Sequence, residues 1–223
     1  MTVDARPAGS TAALVGWLSL FGATFGWVEA AVVIYLRRLF YPGGFAFPLV
    51  TLPTEIAVVE VVREAATILM LLAVAGLAAR TAWGRFGAFS IAFGVWDLVY
   101  YAGLYFAVGW PASPATWDVL FLIPGVWAGP VWSAGVVALL LIVCGARILA
   151  CDGRGYRPGP RASDWLLALV SIVLLLTAFL WNHAVVVAEQ LPGRFPWEIW
   201  LAGVVAGLLP FARLFLKAAP GGR

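Results

Sequence analysis

The feature that most constrains this chain is a series of long apolar stretches separated by short polar connections. Six of them reach the length of about 20 residues that a helix needs to cross a hydrocarbon core about 30 Å thick. Their side chains do not alternate between apolar and polar, as those of a membrane β-barrel strand would. The sequence therefore predicts an all-α integral membrane protein, a six-helix transmembrane bundle in a single domain over residues 1–223. The predicted helices cover residues 11–36, 54–80, 85–108, 127–149, 164–188 and 197–217.

The composition supports this fold class. Hydrophobic residues make up 63% of the chain, charged residues only 11%, and the mean hydropathy is +0.97. A soluble domain has about 25% charged residues, so a soluble fold is excluded. The net charge of +3 does not indicate nucleic-acid binding, because the basic residues lie between apolar stretches and form no stripe with stacking aromatic residues.

The connection between the third and fourth predicted helices contains a further apolar stretch, residues 116–123. It is far too short to span a bilayer as a helix. We expect a short interfacial or re-entrant helix there.

The distribution of Lys and Arg predicts the orientation of the bundle. The N-terminus, the second and fourth connections and the C-terminus together carry 10 of the 14 basic residues, whereas the opposite side carries three and Arg63 lies within a helix. Cytoplasmic connections are enriched in Lys and Arg, so both termini are expected in the cytoplasm and the protein in the plasma (inner) membrane as a multi-pass protein. The basic residues on the cytoplasmic side are Arg6, Arg80, Arg85, Arg147, Arg154, Arg157, Arg161, Arg213, Lys217 and Arg223.

Glycine pairs at four-residue spacing mark two helix faces. Gly22 with Gly26, and Gly203 with Gly207, allow a neighbouring backbone to approach closely. They predict tight helix packing, either within the chain or against another subunit.

Several ionisable residues lie inside the predicted helices, away from their first turns. Each costs about 2.5 to 3.5 kcal/mol in a membrane helix, so each needs a partner or a function. By helix rise, all of them fall at or outside the midplane, on the outer side. We therefore expect one interior polar cluster in the outer half of the bilayer, in which Glu29, Arg63 and Asp97 approach one another. The candidate catalytic residues are Glu29, Glu60, Glu64 and Asp97, and the candidate substrate-binding residues are Arg63, Tyr100, Tyr101, Asn182, His183 and Asp118.

The charges in this cluster do not balance. Four carboxyl groups face the single guanidinium of Arg63, so some carboxyls must stay protonated, bind a cation or meet water. A structural role, in which Arg63 ties the helices together, is the alternative to a functional pocket. Asp118 either covers such a pocket or is a solvated acid of the connection, which is the more common situation for a loop acid.

The sequence restricts the cofactors. His183 is the only histidine, which excludes a bis-histidine haem within one chain, and no dinucleotide-binding motif is present. A bound cation remains open and the identity of any metal is unknown.

Three classes of function follow from these observations. The first is a membrane-embedded enzyme or binding protein that acts on a lipid or isoprenoid-like substrate or a cation, with membrane lipids as its partners. The second is a non-catalytic subunit that binds other membrane proteins in a larger complex. The third is a proton- or cation-coupled transporter, which usually has repeated halves that this sequence does not show.

Overall fold

A computed structural model describes residues 8–216, and most of these residues are helical. Five of the six predicted segments each coincide with a helix, with ends that differ by up to about a turn, and the fifth, residues 164–188, is divided into two helices by a break at residues 181–182. The last residue of the sixth predicted helix, Lys217, lies outside the described residues, as do both termini with Arg6 and Arg223. The helices are α1 (Ala8–Phe40), α2 (Thr54–Ala78), α3 (Ala82–Val108), α4 (Val131–Gly153), α5 (Ala162–Leu180), α6 (His183–Val187) and α7 (Trp197–Phe211), which continues as a π-helical turn (Ala212–Leu216).

Five helical segments are long and apolar enough to cross a membrane. They comprise α1, α3, α4, α5 together with α6, and α7 with its π-helical turn. The chain is thus a polytopic membrane protein by the length and composition of its helices. The remaining long helix, α2, has 25 residues and carries four charged ones, namely Glu55, Glu60, Arg63 and Glu64.

The centre of the bundle is α3, which packs against α1 on one side and α4 on the other. Glycines make both contacts close. A Cβ atom on Gly26 would lie 2.5 Å from the carbonyl oxygen of Trp96 in α3, and one on Gly94 would lie 2.5 Å from that of Ala138 in α4. The Gly22 and Gly26 face therefore packs inside the chain, which answers the question that the sequence left open.

A second pair consists of α5 and α7. Gly203 meets the Leu174 and Leu175 side of α5, and Gly207 meets Ser171, so the second glycine face is also internal. Aromatic side chains join this pair to α4, because the rings of Trp132 and Trp200 lie 5.0 Å apart in an edge-on arrangement. Both glycine pairs are thereby used within a single chain.

The connection between α3 and α4 does not form the expected helix. It is a two-stranded antiparallel hairpin of β1 (Trp117–Phe121) and β2 (Trp127–Pro130). The prediction of a short helix was wrong because the stretch is rich in aromatic and β-branched residues, which favour strands. Pro124 and Gly125 follow it directly and mark the turn.

The end of the molecule that carries this hairpin is called the hairpin end below. It also holds the end of α1, the start of α2 and the break between α5 and α6 at Trp181 and Asn182. At the opposite end, Asp152 accepts hydrogen bonds from Thr81 and Arg157, each at 2.8 Å. Asp164 lies in the first turn of α5, where it pairs with Arg213. It also accepts the Arg161 backbone N–H at 2.6 Å and so caps the start of the helix.

Candidate functional site

A cavity of about 530 Å³ lies at the hairpin end, between α1, α2, α3, α6 and the hairpin. The connection from α1 to α2 closes one further side. Its walls are largely apolar, and its polar groups come from separate elements. Nine of the ten candidate site residues line it, namely Glu29, Glu60, Arg63, Glu64, Asp97, Tyr100, Tyr101, Asp118 and His183.

Arg63 is held by two carboxylates. Its Nη2 donates to Glu60 Oε2 at 2.7 Å, and its Nε donates to the same oxygen at 3.1 Å. Its Nη1 pairs with Glu29 Oε1 on α1, whose second oxygen accepts from Thr67 at 3.4 Å. Glu60 and Arg63 are three residues apart and share a helix face, whereas the pair with Glu29 joins α2 to α1.

Glu64 binds backbone instead of a cation. Its two carboxylate oxygens accept the N–H of Leu122 at 2.9 and 3.0 Å, and Oε1 also accepts the N–H of Ile123 at 3.1 Å. These are the amides at the tip of the hairpin, which would otherwise lack partners in an apolar setting. Glu64 therefore anchors the hairpin to α2.

A second ion pair lies in the same cavity, between Arg37 at the end of α1 and Asp118 in β1. Nη2 of Arg37 donates to Oδ1 of Asp118 at 2.9 Å, and both side chains are at least nine-tenths buried. The guanidinium carbon also lies 3.7 Å from the centre of the Trp110 ring and 4.1 Å from that of Phe45. Arg37 is thus fixed by one carboxylate and two aromatic faces.

The burial of Asp118 corrects the interpretation as a solvated loop acid, because the side chain is only 1% exposed. Burial raises the pKa of Asp118 to about 6, although Arg37 and the hydroxyls of Tyr100 and Tyr101 act in the opposite direction. Its Oδ2 atom has no hydrogen-bond partner among the described residues. The hairpin, which the sequence did not predict, is what brings this carboxylate into the site.

Asp97 lies on α3 and lines the cavity, but it does not join the Arg63 cluster as expected. No hydrogen bond or ion pair connects it to another of residues 8–216. The charged group that acts on it electrostatically is another carboxylate, that of Asp118. The cavity therefore contains one carboxyl group that has no partner in the described part of the chain.

Asn182 and His183 lie at the break between α5 and α6, and their side chains have different surroundings. His183 lines the cavity, and its Nδ1 lies 3.1 Å from the backbone nitrogen of Val126 in the hairpin. Asn182 does not line the cavity. Its Oδ1 accepts the backbone N–H of Gly193 at 2.8 Å and so ties the connection before α7.

Two exposed side chains meet at the edge of the cavity. Thr51 precedes α2 and donates a hydrogen bond to Glu189, which follows α6. Both residues line the cavity. This contact joins two connections that are far apart in sequence.

The donor set can be tested against metal binding. Among residues 8–216, no three His, Cys, Asp or Glu side chains are grouped so as to hold a metal ion. The carboxylates of Glu29, Glu60 and Glu64 are already engaged by Arg63 or by backbone amides. Of the other acids that line the cavity, Asp118 pairs with Arg37 and Glu189 accepts a hydrogen bond from Thr51, so Asp97 alone has no partner among the described residues.

No protein-family model, curated protein or solved structure matches this chain.

Sequence reasoning did not identify Arg37 as a site residue, since it was counted with the basic residues of the connection on the predicted outer side. The signal in the sequence that could have identified Arg37 was the group of aromatic residues that includes Phe45 and Trp110. Their rings contact the guanidinium of Arg37, so they do more than form the aromatic belt that is usual at a membrane interface. An Arg at the end of a helix, followed by aromatic residues that can cover it, favours a cation–π site.

Proposed function

We propose that this protein binds a lipid-like or isoprenoid-like amphiphile in the cavity at the hairpin end. The cavity joins apolar walls, such as those formed by Val33, Leu36 and Val61, to a polar interior. A site of this kind suits a ligand with an apolar chain and a polar head. Its volume of about 530 Å³ lies within the usual range of about 300 to 1,000 Å³ for small-molecule sites.

The observation that carries the proposal is the carboxyl of Asp97, which has no partner among residues 8–216. The other acids of the cavity each have a partner in the protein. An ionisable residue in a membrane helix is a functional candidate by default, and one without a partner is the strongest case. Asp97 is accordingly the residue that we propose contacts the ligand and, if a reaction occurs, acts as its acid or base.

The other candidate residues then have positioning roles. Glu29 and Glu60 hold Arg63, which ties α1 to α2, and Glu64 holds the hairpin over the cavity. Tyr100 and Tyr101 lie beside Asp118 and face the same space. This assignment narrows the four candidate catalytic residues to one.

The proposal includes the six-span topology in the plasma (inner) membrane, with the hairpin end facing outward. At a rise of about 1.5 Å per residue, the 25 residues of α2 measure about 37 Å, which is enough to cross the bilayer. Three of its four charged residues, Glu60, Arg63 and Glu64, line the cavity with their partners, and Glu55 lies in the exposed first turn.

Membership of a larger complex is the alternative proposal. The glycine faces that favoured it are used within the chain, between α1 and α3 and between α5 and α7. The glycine faces therefore no longer support membership of a larger complex. For the transporter proposal, the break at Trp181 is an interrupted helix, but it lies at the hairpin end and not at the middle of the bundle.

The test is to identify what the protein carries when it is purified in a mild detergent. Organic extraction followed by mass spectrometry should find an amphiphile in stoichiometric amount with the wild-type protein. Ala57→Trp fills the cavity from α2 and should abolish this, whereas Ala66→Trp, on the exposed face of the same helix, should not. Equal amounts in the two variants, or none with the wild type, would contradict the proposal.

A further inference from the structure

We infer that the amphiphile has a positively charged ammonium head, and that Asp97 and Asp118 hold this head. This inference rests on the proposed function and names the chemical class of its ligand. It follows from which charges in the cavity are already paired and which are not.

The cavity is rich in acids. Below its edge it is lined by Glu29, Glu60, Glu64, Asp97 and Asp118, against the two guanidinium groups of Arg37 and Arg63. His183 adds one imidazole, whose Nδ1 lies against the backbone of Val126. When the acids are ionised, a cationic ligand reduces the excess negative charge, whereas an anionic ligand increases it.

An anionic head would compete with protein carboxylates for both guanidinium groups of the cavity. Arg63 uses Nε, Nη1 and Nη2 on Glu29 and Glu60. Arg37 uses Nη2 on Asp118, while its Nη1 is buried and has no hydrogen-bond partner among the described residues. Phe45 and Trp110 lie close to this guanidinium. A phosphate or carboxylate on Arg63 would have to break one of its pairs and leave a carboxylate without its partner, which is strongly destabilising. One on Nη1 of Arg37 would lie close to the carboxylate of Asp118, which repels it.

Acceptors for a cation are present and unoccupied. Oδ2 of Asp118 is buried and has no partner among the described residues, and it belongs to a side chain that is 1% exposed and lines the cavity. Asp97 lines the same cavity from α3 and also lacks a partner there. An ammonium group has three N–H donors, which matches two carboxylates and a tyrosine hydroxyl.

The surroundings favour an organic ammonium over a metal ion. The rings of Trp96, Tyr100 and Tyr101 line the cavity next to the two aspartates, and aromatic faces attract ammonium groups. A Ca²⁺ or Mg²⁺ ion needs about six oxygen ligands, whereas no three candidate ligand side chains are grouped among residues 8–216.

Three probes with the same apolar chain separate the possibilities, namely octylamine, octanoate and 1-octanol. Their binding to the purified wild-type protein in a neutral maltoside detergent is measured by isothermal titration calorimetry. We expect octylamine to bind at least about tenfold more tightly than octanol, and octanoate to bind most weakly. This comparison needs no variant.

Variants then locate the head group. Asp97→Asn should weaken octylamine binding by about ten- to a hundredfold, because it removes a charge-assisted hydrogen bond, and Asp97→Glu should retain most of the affinity. The control is Glu198→Gln, an exposed carboxylate paired with Arg194 outside the cavity, which should bind octylamine like the wild type. An unchanged affinity of Asp97→Asn would overturn the inference.

The outcomes also distinguish this inference from the proposed function. If octanol or octanoate binds as tightly as octylamine and Ala57→Trp blocks it, the ammonium head is wrong and the amphiphile site stands. The same holds if octylamine does not bind while an amphiphile co-purifies. If no probe binds and nothing co-purifies, both proposals fail.

Discussion

Glu64 shows at the scale of single residues how a membrane carboxylate can serve the backbone. Its oxygens take the free amides of Leu122 and Ile123 at the hairpin tip. A glutamine in its place has one acceptor oxygen, and its NH₂ group would face backbone donors. Binding of these two amides therefore needs both the charge and the geometry of the Glu64 carboxylate.

We predict that Glu64→Gln lowers the free energy of unfolding by about 2 kcal/mol, since hydrogen bonds to charged groups contribute about 1.5 to 3 kcal/mol. Reversible unfolding in a detergent titration measures this change. Glu55→Gln is the matched control, because Glu55 is exposed in the first turn of the same helix and should change stability by less than about 0.5 kcal/mol. Equal stability of the two variants would show that the hairpin does not depend on Glu64.

The raised pKa of Asp118 predicts a pH effect with a definite sign. Because its folded pKa is about 6 and its ordinary value is 3.8, the folded protein binds more protons than the unfolded chain between these values. The contribution of Asp118 to stability is therefore present at low pH and is lost as the pH rises from about 4 to about 6. Above pH 6 it does not change further.

Thermal unfolding of the wild type and of Asp118→Asn from pH 4 to pH 8 measures this effect. Taking the difference between the two proteins removes the contribution of acids that do not interact with Asp118, whereas that of its neighbour Asp97 remains in the difference. The wild type should lose stability relative to Asp118→Asn as the pH rises to 6. A difference that grows in the opposite direction would contradict the assigned pKa.

The sequence predicted that Arg63 lies in a polar cluster, but it did not predict the ion pair between Arg37 and Asp118. Glu60 and Arg63 share a helix face, and Glu29 faces them because intramembrane charges must find partners. Arg37 and Asp118 are 81 residues apart, and their contact depends on the hairpin. A single sequence contains no local pattern that specifies such a pair.

At the scale of elements, the close contacts of α3 determine the shape of the bundle. Two helices approach so closely that glycine is required at the contact, as at Gly26 against Trp96. The spacing of the glycines predicted this packing, while the identity of the partner helix could not be read from it. The hairpin was missed because length and hydropathy alone do not distinguish a short apolar strand from a short helix.

Gly26→Ala should destabilise the protein by about 1 to 3 kcal/mol, because its Cβ would lie 2.5 Å from a backbone oxygen that cannot move freely. Gly16 lies in the same helix and has no atom within 4 Å of an added Cβ. Gly16→Ala should therefore leave the midpoint of thermal unfolding nearly unchanged. If Gly26→Ala is as stable as Gly16→Ala, the α1 to α3 contact is not as close as described.

At the scale of the whole molecule, the apolar stretches predicted nearly all of the helices, because the bilayer sets both their length and their composition. Orientation rests on the basic residues, three of which, Arg6, Lys217 and Arg223, lie outside the described part of the chain. The sequence predicted the polar groups of the cavity as a cluster. It did not predict the walls of the cavity, because these come from the hairpin and the connections.

The orientation predicts which connections an impermeant thiol reagent can reach in intact cells. In a protein without its two native cysteines, Ser113→Cys near the hairpin should react, and Gly159→Cys in the connection between α4 and α5 should not. Both positions are exposed, whereas the native Cys151 is buried and is unsuited to this test. If only Gly159→Cys is labelled, the orientation of the protein is the opposite of the predicted one.

A crystal structure of the protein grown from a lipidic mesophase would show what the cavity holds. We predict elongated density in the cavity between α1 and α2, with its polar end between Asp97 and Asp118 and its chain along Val33, Leu36 and Val61. A cavity that is filled by protein side chains, with Asp97 paired to an arginine, would contradict it.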